Sequence, residues 1–260
     1  MSFGAWDIAL IAVVTAQVAL VAYLHQPLWK ALVLTLPFPF TMASLALGRR
    51  VDATNVLGLL LLLGMVNTVR WLHYRVRLGI IPSIGIGVGA NMLAAVGLAP
   101  LVPTGNSAFY VSAAAVAGVS GLIFFLTPMP DEPGHRTPLP VHVKVPGVAA
   151  MVTGLVLLKA LLLGFMTTFP MVTTFALYEA RHSLRTVCRQ MAGFVLAFMP
   201  MVMICRLAHP AIGLSPALLL GWTVFLSIWI PRAIRSRVAH DGSRQPAPLA
   251  QADSSEHPAA

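Results

Sequence analysis

The chain has 260 residues, of which 58% are hydrophobic and 10% are charged, and its formal net charge is +9. Soluble domains carry about 25% charged residues, so this composition excludes an ordinary soluble protein and indicates an integral membrane protein. Lys and Arg in such a chain mark the loops that face the cytoplasm, and the positive balance does not indicate a nucleic-acid partner. Cys188 and Cys205 are too few for a disulfide framework, and we expect them to be small packing residues.

Apolar windows predict an all-α polytopic fold with about nine transmembrane helices, because a helix needs about 20 apolar residues to cross a bilayer. The division between the sixth and seventh windows is the weakest, and Lys159 is placed at the turn between them. If those two windows form one element, the number of spans becomes eight. The predicted spans are 6–24, 28–47, 55–73, 79–101, 108–128, 146–158, 160–178, 190–207 and 211–231.

Polar segments divide the chain into four regions. A proline-rich, charged linker at 128–140 separates two membrane halves, and the polar composition that begins at residue 238 is typical of a disordered tail. The predicted regions are a first membrane repeat (1–103), a linking helix with a cytoplasmic loop (104–140), a second membrane repeat (141–237) and a disordered tail (238–260).

The distribution of basic residues predicts the orientation of the chain. With nine spans, 4 of the Lys and Arg residues lie on the side of the N-terminus and 13 lie on the other side. Cytoplasmic loops are enriched in Lys and Arg. We therefore expect a protein of the bacterial inner (cytoplasmic) membrane with its N-terminus outside and its C-terminus in the cytoplasm, with Arg49 and Arg50 as the main exception.

The two halves resemble one another in an ordered set of short matches. Four spans, one linking span and four further spans would place the two units in opposite orientations, so the sequence predicts two inverted four-helix repeats joined by a linking helix. A basic loop also follows the proline match in each half. The matches are KALVL (30–34) with KALLL (159–163), Phe38-Pro39 with Phe169-Pro170, and the Arg-x-x-His pairs Arg70–His73 with Arg206–His209.

One of the matched segments, FPMVTTFAL at 169–177, also resembles a known family. It is similar to the Phe-Pro-x-x-x-x-Phe-Ala-Leu-like segment in the second span of the GlpM family of small bacterial membrane proteins. LPFPFTMASLAL at 36–47 resembles that segment less closely, and the similarity covers roughly 90 residues of each half. The resemblance implies a fused double copy of a single-unit ancestor. It implies no activity, because the family has no firmly assigned function.

Prolines interrupt one apolar span in each half. A proline removes a backbone donor, so each break frees carbonyl groups that protein or a water-lined cavity must satisfy. Transporters with inverted repeats place their substrate near mid-membrane at such paired broken helices. For either break alone, a kink repaired by a local threonine is the alternative. The predicted substrate-binding residues are Pro37, Pro39, Thr41, Ser44, Phe169, Pro170, Thr173, Thr174, Arg70, His73, Arg206 and His209.

Other polar or small residues within the spans indicate close helix packing. Interhelical hydrogen bonds are the expected role of amide side chains in membrane helices, and the Gly-x-Gly-x-Gly run in GIGVGAN (85–91) favours close helix contact over a phosphate site. The amide residues concerned are Gln17, Asn55, Asn67, Asn91 and Gln190.

These features favour a secondary transporter or exporter of a small solute, with an anion preferred. No Asp or Glu lies deep in a predicted span, and cation carriers commonly use an intramembrane carboxylate. The sequence contains no common enzyme motif and predicts no cofactor or metal site. We expect solute and membrane lipids as partners and no nucleic acid, and a homodimer is compatible with the sequence. The alternative is a non-transporting scaffold subunit of an envelope or lipid-pathway complex, whose basic loops contact proteins or anionic lipid.

Overall fold

A computed structural model of the chain describes residues 4–23, 33, 35–127 and 140–242, and within these residues the fold is all-helical, as predicted. A 3-10 helix, Leu163–Thr168, separates the seventh and eighth α-helices of the described chain. The α-helices are α1 (Ala5–Tyr23), α2 (Phe38–Leu47), α3 (Ala53–Tyr74), α4 (Ile80–Leu98), α5 (Asn106–Leu126), α6 (Val141–Leu157), α7 (Lys159–Leu162), α8 (Thr173–Glu179), α9 (Leu184–Ile212) and α10 (Leu214–Gly242).

Five of the described helices are long and apolar enough to cross a membrane: α3, α4, α5, α9 and the Leu214–Pro231 part of α10. The bent pair formed by α6 and Lys159–Thr168 raises this number to six if the pair is one span, whereas α1 and α2 are shorter apolar helices. Several apolar helices of this kind indicate a membrane-embedded protein. The predicted nine spans are not shown, because the windows 28–47 and 160–178 do not form continuous helices among the described residues.

The second broken region, residues 158–172, begins at the predicted turn. The chain bends by 68° between α6, which ends at Leu157, and α7, which begins at Lys159. Leu163 then adopts a φ of +49°, which is uncommon for a residue with a side chain, and the 3-10 helix follows. Phe169 leaves this helix in an extended conformation before α8 begins at Thr173.

The first broken region, at Leu36–Pro37, lies at a different proline from the one in the sequence match. Pro37 is the N-cap of α2, and Pro39 lies in the first turn, where a helix tolerates proline because the backbone N–H there has no intrahelical acceptor. The break therefore lies at Leu36–Pro37 and not at Phe38-Pro39. Gly48 ends α2 in the left-handed conformation that glycine favours, with a φ of +60°.

The helices pack in two main groups. α1 packs against α2 and α6, and the 3-10 helix packs against α2 and α3. α3 also contacts α4, α5 and α9, and α9 contacts α5 and α10. One buried apolar cluster joins α3, α5, α9 and α10, and a second joins α1, α2 and α6 to the broken segment. The free cysteines Cys188 and Cys205 are both buried, in agreement with the packing role expected from the sequence.

Glycines allow the closest approaches in two of these helix pairs. A Cβ atom at Gly87 of α4 would lie 2.7 Å from Cγ2 of Val69 in α3. A Cβ atom at Gly221 of α10 would lie 2.8 Å from Sγ of Cys205 in α9. Only glycine fits at either position without movement of its neighbour, as is common where membrane helices pack closely.

Two ion pairs mark the opposite ends of the helix bundle. At one end, which we call the Asp7 end, Nζ of Lys159 lies 2.6 Å from Oδ2 of Asp7. At the other end, the Glu179 end, Nζ of Lys144 lies 2.7 Å from Oε1 of Glu179. The start of α3 belongs to the Asp7 end, because Asn55 contacts the 3-10 helix shortly after Lys159.

Candidate functional site

The carbonyl groups at the first break bond to protein side chains. Nε2 of Gln17, on α1, donates to the carbonyl oxygen of Val33 over 2.7 Å and to that of Leu36 over 3.3 Å. Oγ1 of Thr41 donates to the carbonyl oxygen of Pro37 over 2.9 Å. The break therefore does not need water at these three acceptors.

The second break is satisfied in a similar way. Oγ1 of Thr174 donates to the carbonyl oxygen of Pro170 over 2.7 Å, and Oγ1 of Thr167 donates to that of Gly164 over 2.7 Å. Nδ2 of Asn55, on α3, donates to Oγ1 of Thr167 over 2.9 Å. Each break thus combines a local threonine with an amide side chain from another helix.

Apolar side chains fill the space between the two breaks at the level of the prolines. Ala43 of α2 belongs to the same buried cluster as Phe165, Met166, Phe169 and Met171 of the second broken region. All five side chains are at least nine-tenths buried. The contact between the two broken regions is therefore apolar at this level, and their polar contact lies nearer the Asp7 end.

A narrow polar crevice at the Asp7 end receives residues from both broken regions. Ser44 comes from the helix that follows the first break, and Gly164 and Thr167 come from the second. In this conformation the crevice admits about one water-sized sphere, so it is nearly closed. Its lining consists of Ser44, Leu47, Arg49, Arg50, Asp52, Asn55, Gly164 and Thr167.

Ser44 is the crevice residue with unused hydrogen-bonding capacity. Its side chain is 2% exposed, and its Oγ has no hydrogen-bond partner among the described residues. Buried polar groups are nearly always hydrogen-bonded, so an unpartnered hydroxyl of this kind needs a partner such as water or a solute. Trp222 instead uses the other hydroxyl of α2, since its Nε1 donates to Oγ1 of Thr41 over 2.7 Å.

The start of α3 fixes the polar wall of the crevice through a capping box. The backbone N–H of Thr54 donates to Oδ1 of Asp52 over 2.9 Å, and the backbone N–H of Asp52 donates to Oδ1 of Asn55 over 2.8 Å. This reciprocal pattern satisfies two orphan donors at the helix start. It also occupies the Asp52 carboxylate and orients the Asn55 amide towards Thr167.

Arg206 of α9 lies beside this wall and is 5% exposed. Its Nη1 donates to the carbonyl oxygen of Val51 over 2.8 Å, and its Nη2 donates to Oδ1 of Asn106 over 2.7 Å. The guanidinium also lies 5.4 Å from the ring centroid of Phe109. Arg206 therefore braces the loop before α3 against the start of α5 through neutral partners.

The positive charge at the Asp7 end is only partly neutralised. Within the described parts of the chain, the ion pairs are Lys144–Glu179 and Lys159–Asp7, so Arg49, Arg50 and Arg206 have no carboxylate oxygen within 4.0 Å. Arg49 and Arg50 are exposed at the mouth of the crevice. Guanidinium groups that make no ion pair favour the approach of an anion, and the two at the crevice mouth are exposed to it.

The structure divides the predicted binding residues between the two ends. Arg70 and His73 lie near the Glu179 end, where Nδ1 of His73 lies 2.9 Å from the carbonyl oxygen of Leu78. Arg206 and His209 lie at the Asp7 end, so the two Arg-x-x-His pairs do not share one cavity. Ser44 is the predicted residue that lines the crevice, and the prolines, Thr41, Phe169, Thr173 and Thr174 form the breaks around it.

The sequence prediction missed most of the crevice lining. From the sequence, Arg49 and Arg50 are expected to reflect topology, and Asn55 is expected to pack between helices. The Asp-x-x-Asn spacing at 52–55 is a capping-box signal that could have located the start of α3. No signal in the sequence alone places this helix start against Gly164.

A second, larger groove lies between α3, α4 and α5. Its lining is mostly apolar, with Asn67, Thr68 and Asn91 as the polar members. A groove of this composition on a membrane protein is suited to lipid chains, and it brings together none of the predicted binding residues.

No protein family, curated protein or solved structure was found to match the chain. The resemblance of FPMVTTFAL to the GlpM family therefore stays a prediction from the sequence.

Proposed function

We propose that the protein is a secondary transporter or exporter of a small anionic solute. The observation that carries the proposal is the crevice, because residues from both broken regions meet there beside Arg49 and Arg50, which make no ion pair with Asp52 or another described carboxylate. Ser44 offers a hydroxyl without a protein partner, whereas Asn55 and Thr167 hold the wall beside it through their hydrogen bonds, and Arg49 and Arg50 supply positive charge. A phosphate, sulfate or carboxylate group fits this chemistry.

The placement of the helix ends supports nine crossings. α1 begins at the Asp7 end and α6 begins at the Glu179 end, as their ion pairs indicate. Segment 159–179 joins the two ends, since Lys159 contacts Asp7 and Glu179 contacts Lys144. If the two broken regions each count as one crossing, the successive segments alternate between the ends and give nine crossings.

Corresponding contacts in the two halves support an inverted repeat. The bonds from Thr41 to Pro37 and from Thr174 to Pro170 join residues four apart, and the two prolines are 133 positions apart. The helix pairs agree as well. Gly87 faces Val69 and Met65, and Gly221 faces Cys205 and Met201, each of which lies 136 positions after its counterpart. A duplication explains why such contacts recur in the same order.

Transport would require the crevice to open, because it admits no more than about one water in this conformation. We infer an occluded state in which the two broken regions are packed together. Rocking of one four-helix unit against the other would open the crevice to one side and then to the other, as in other carriers with inverted repeats.

Accessibility of single cysteines tests this proposal. In a background with C188A and C205A, we would place S44C or T167C and apply a membrane-impermeant thiol reagent from each side. We expect both cysteines to react, because the crevice opens during transport, and phosphate, sulfate or a small carboxylate should slow the reaction. The control is S120C, since Ser120 is 0% exposed and lies on α5, away from the crevice.

Labelling of S44C and T167C that is no faster than labelling of S120C would contradict the proposal. It would favour the second candidate, a non-transporting scaffold subunit of an envelope or lipid-pathway complex. One observation supports that candidate already: the carbonyl groups at the breaks are satisfied by protein, and apolar side chains fill the space between the prolines. The breaks would then be kinks that shape the bundle.

A further inference from the structure

The larger groove, between α3, α4 and α5, has room for a hydrocarbon chain. Its volume is about 460 Å³, and its lining is mostly apolar. An apolar cavity of about 150 Å³ already holds benzene. The groove is open to the outside of the bundle, since Gly64 of α3 and Ala90 of α4 are exposed in its lining. No atom lies within 4 Å of the Cβ position of Gly64, so this part of the groove is unfilled by protein.

The groove runs from the middle of the bundle towards the Glu179 end. On α3 it is lined between Leu60 and Thr68, and on α5 it reaches Ile123, close to the end of that helix at residue 126. Trp71 and Arg75 follow Thr68 by one and two turns on the same face of α3. Trp71 is 57% exposed, and Arg75 is exposed as well. An exposed tryptophan beside a basic residue is typical of the membrane–water interface, so we expect the groove to end there.

Two further arginines lie beside this end of the groove. Nε of Arg189 in α9 donates to the carbonyl oxygen of Phe124 over 3.4 Å, and its guanidinium lies 4.9 Å from the centroid of the Phe124 ring. Phe124 directly follows the groove residue Ile123. Arg70 follows another groove residue, Asn67, by about one turn of α3. Neither arginine makes an ion pair with a described carboxylate, so positive charge without a counter-charge borders the apolar groove at one end.

We propose that the groove binds one anionic phospholipid, with an acyl chain between α3, α4 and α5 and the phosphate beside Arg70, Arg75 and Arg189. Guanidinium groups match the geometry of phosphate oxygens, and basic pockets between membrane helices favour anionic headgroups. An apolar helix of a partner protein would cover the groove but would leave these arginines without a counter-charge. The site lies at the opposite end from the crevice and does not depend on the proposed transport function.

Native mass spectrometry of the full chain released from detergent micelles tests the site. The protein would be titrated with dioleoylphosphatidylglycerol, which is anionic, or with dioleoylphosphatidylcholine, which has the same chains and no net charge. We expect one phosphatidylglycerol molecule to bind with an apparent affinity at least about 10-fold higher than that of phosphatidylcholine, because each arginine near the headgroup contributes a factor of about 5.

Variants separate the headgroup contacts from the chain contacts. R70Q and R189Q should each weaken phosphatidylglycerol binding about 5-fold. The matched control is R181Q, because Arg181 lies at the same end but stacks on Tyr178 of α8, and the groove lining contains no described residue of α8. G64F should abolish binding of the lipid by filling the groove. Its control is G85F, since the Cβ position of Gly85 is also open but lies outside the groove lining.

Equal affinity for the two lipids, or an equal loss in R181Q, would overturn the proposal, as would G64F protein that binds phosphatidylglycerol as tightly as G85F. Millimolar glycerol 3-phosphate should not displace the lipid, and displacement would indicate a site for a soluble anion instead. If G64F does not fold, the arginines decide: the double variant R70K/R189K must keep the preference for phosphatidylglycerol, and R70Q/R189Q must lose it.

Discussion

At the scale of single residues, two amide side chains determine whether the breaks are tolerated inside the bundle. Gln17 serves two carbonyl groups of the first broken region, and Asn55 serves the second through Thr167. A buried carbonyl without a donor costs about 1–3 kcal/mol, more than a typical hydrogen bond contributes. Loss of either amide is therefore expected to lower the free energy of unfolding by more than the loss of an ordinary hydrogen bond.

Replacement of Gln17 by leucine tests this account. We expect Q17L to lower the free energy of unfolding by about 1–3 kcal/mol, because the carbonyl groups of Val33 and Leu36 lose their donor. The measurement is unfolding of the purified protein in mixed micelles with increasing denaturing detergent.

The matched control for Q17L is N67L. Nδ2 of Asn67 donates to the carbonyl oxygen of Leu63 within its own helix, where the backbone already supplies a donor. We expect N67L to change the free energy of unfolding by no more than about 0.5 kcal/mol. Equal effects of the two variants would show that loss of an amide, and not an exposed carbonyl, causes the destabilisation.

At the scale of helices, close packing at glycine sets the distance between the two members of each long pair. Gly87 brings α4 onto α3, and Gly221 brings α10 onto α9. The backbone contact is short in both pairs, since a Cβ atom at either glycine would lie 3.6 Å or less from the carbonyl oxygen of a methionine, Met65 or Met201. The GIGVGAN run thus acts through one of its glycines, because Gly85 and Gly89 face open space.

Substitution of the two contact glycines tests whether the pairs are equivalent. We expect G87V and G221V each to lower the free energy of unfolding by about 1–3 kcal/mol, because the added atoms overlap the facing helix. G85V is the control and should have a much smaller effect, since nothing lies within 4 Å of its Cβ position. A large effect at Gly87 with none at Gly221 would contradict a common origin of the two pairs.

At the scale of the whole molecule, the basic residues are distributed unequally between the two ends. Arg49, Arg50, Lys159 and Arg206 lie at the Asp7 end. The exposed loop after α3, with Arg75 and Arg77, lies at the Glu179 end, where the hydroxyl of Tyr74 accepts from the backbone N–H of Leu184. With 13 of the 17 Lys and Arg residues predicted on the side of the C-terminus, we expect from the positive-inside rule that the Glu179 end faces the cytoplasm.

Labelling of exposed cysteines in intact cells tests this orientation. We expect S107C, near the Arg206 contact with Asn106, to react with an impermeant reagent added outside. R75C should react only after the cells are permeabilised, because we place the Glu179 end inside. The reverse pattern would place the crevice mouth in the cytoplasm and would contradict the expected orientation.

The sequence alone predicts the fold class and the positions of the breaks, but only part of the site. Apolar composition predicts a helical membrane fold, and Pro37 and Pro170 fall in the two interruptions, whereas Pro146 and Pro200 lie inside continuous helices. The first break lies at Pro37 and not at Pro39, because proline in the first turn of a helix is compatible with that helix. Gln17 and Asn55 bond to other elements as expected, whereas Asn67 bonds within its own helix.

The sequence does not predict which residues far apart in the chain contact each other. Asp7 and Lys159 are 152 positions apart, and nothing local to either residue identifies the other as its partner. Asn55 and Thr167 are 112 positions apart and present the same difficulty. Such contacts depend on which helices become neighbours in the fold. A single sequence can indicate neighbouring helices only where it contains an internal repeat.

The order of donors and acceptors along the chain has a consequence for biosynthesis. Gln17 precedes Val33 and Leu36, and Asn55 precedes Gly164 and Thr167, so each amide is made before the segment that it serves. Membrane proteins are synthesised from the N-terminus and domains form in that order. When a broken segment is synthesised, the helix that carries its amide donor has already been made. The free carbonyl groups of the segment can therefore be hydrogen-bonded as soon as the segment enters the bilayer.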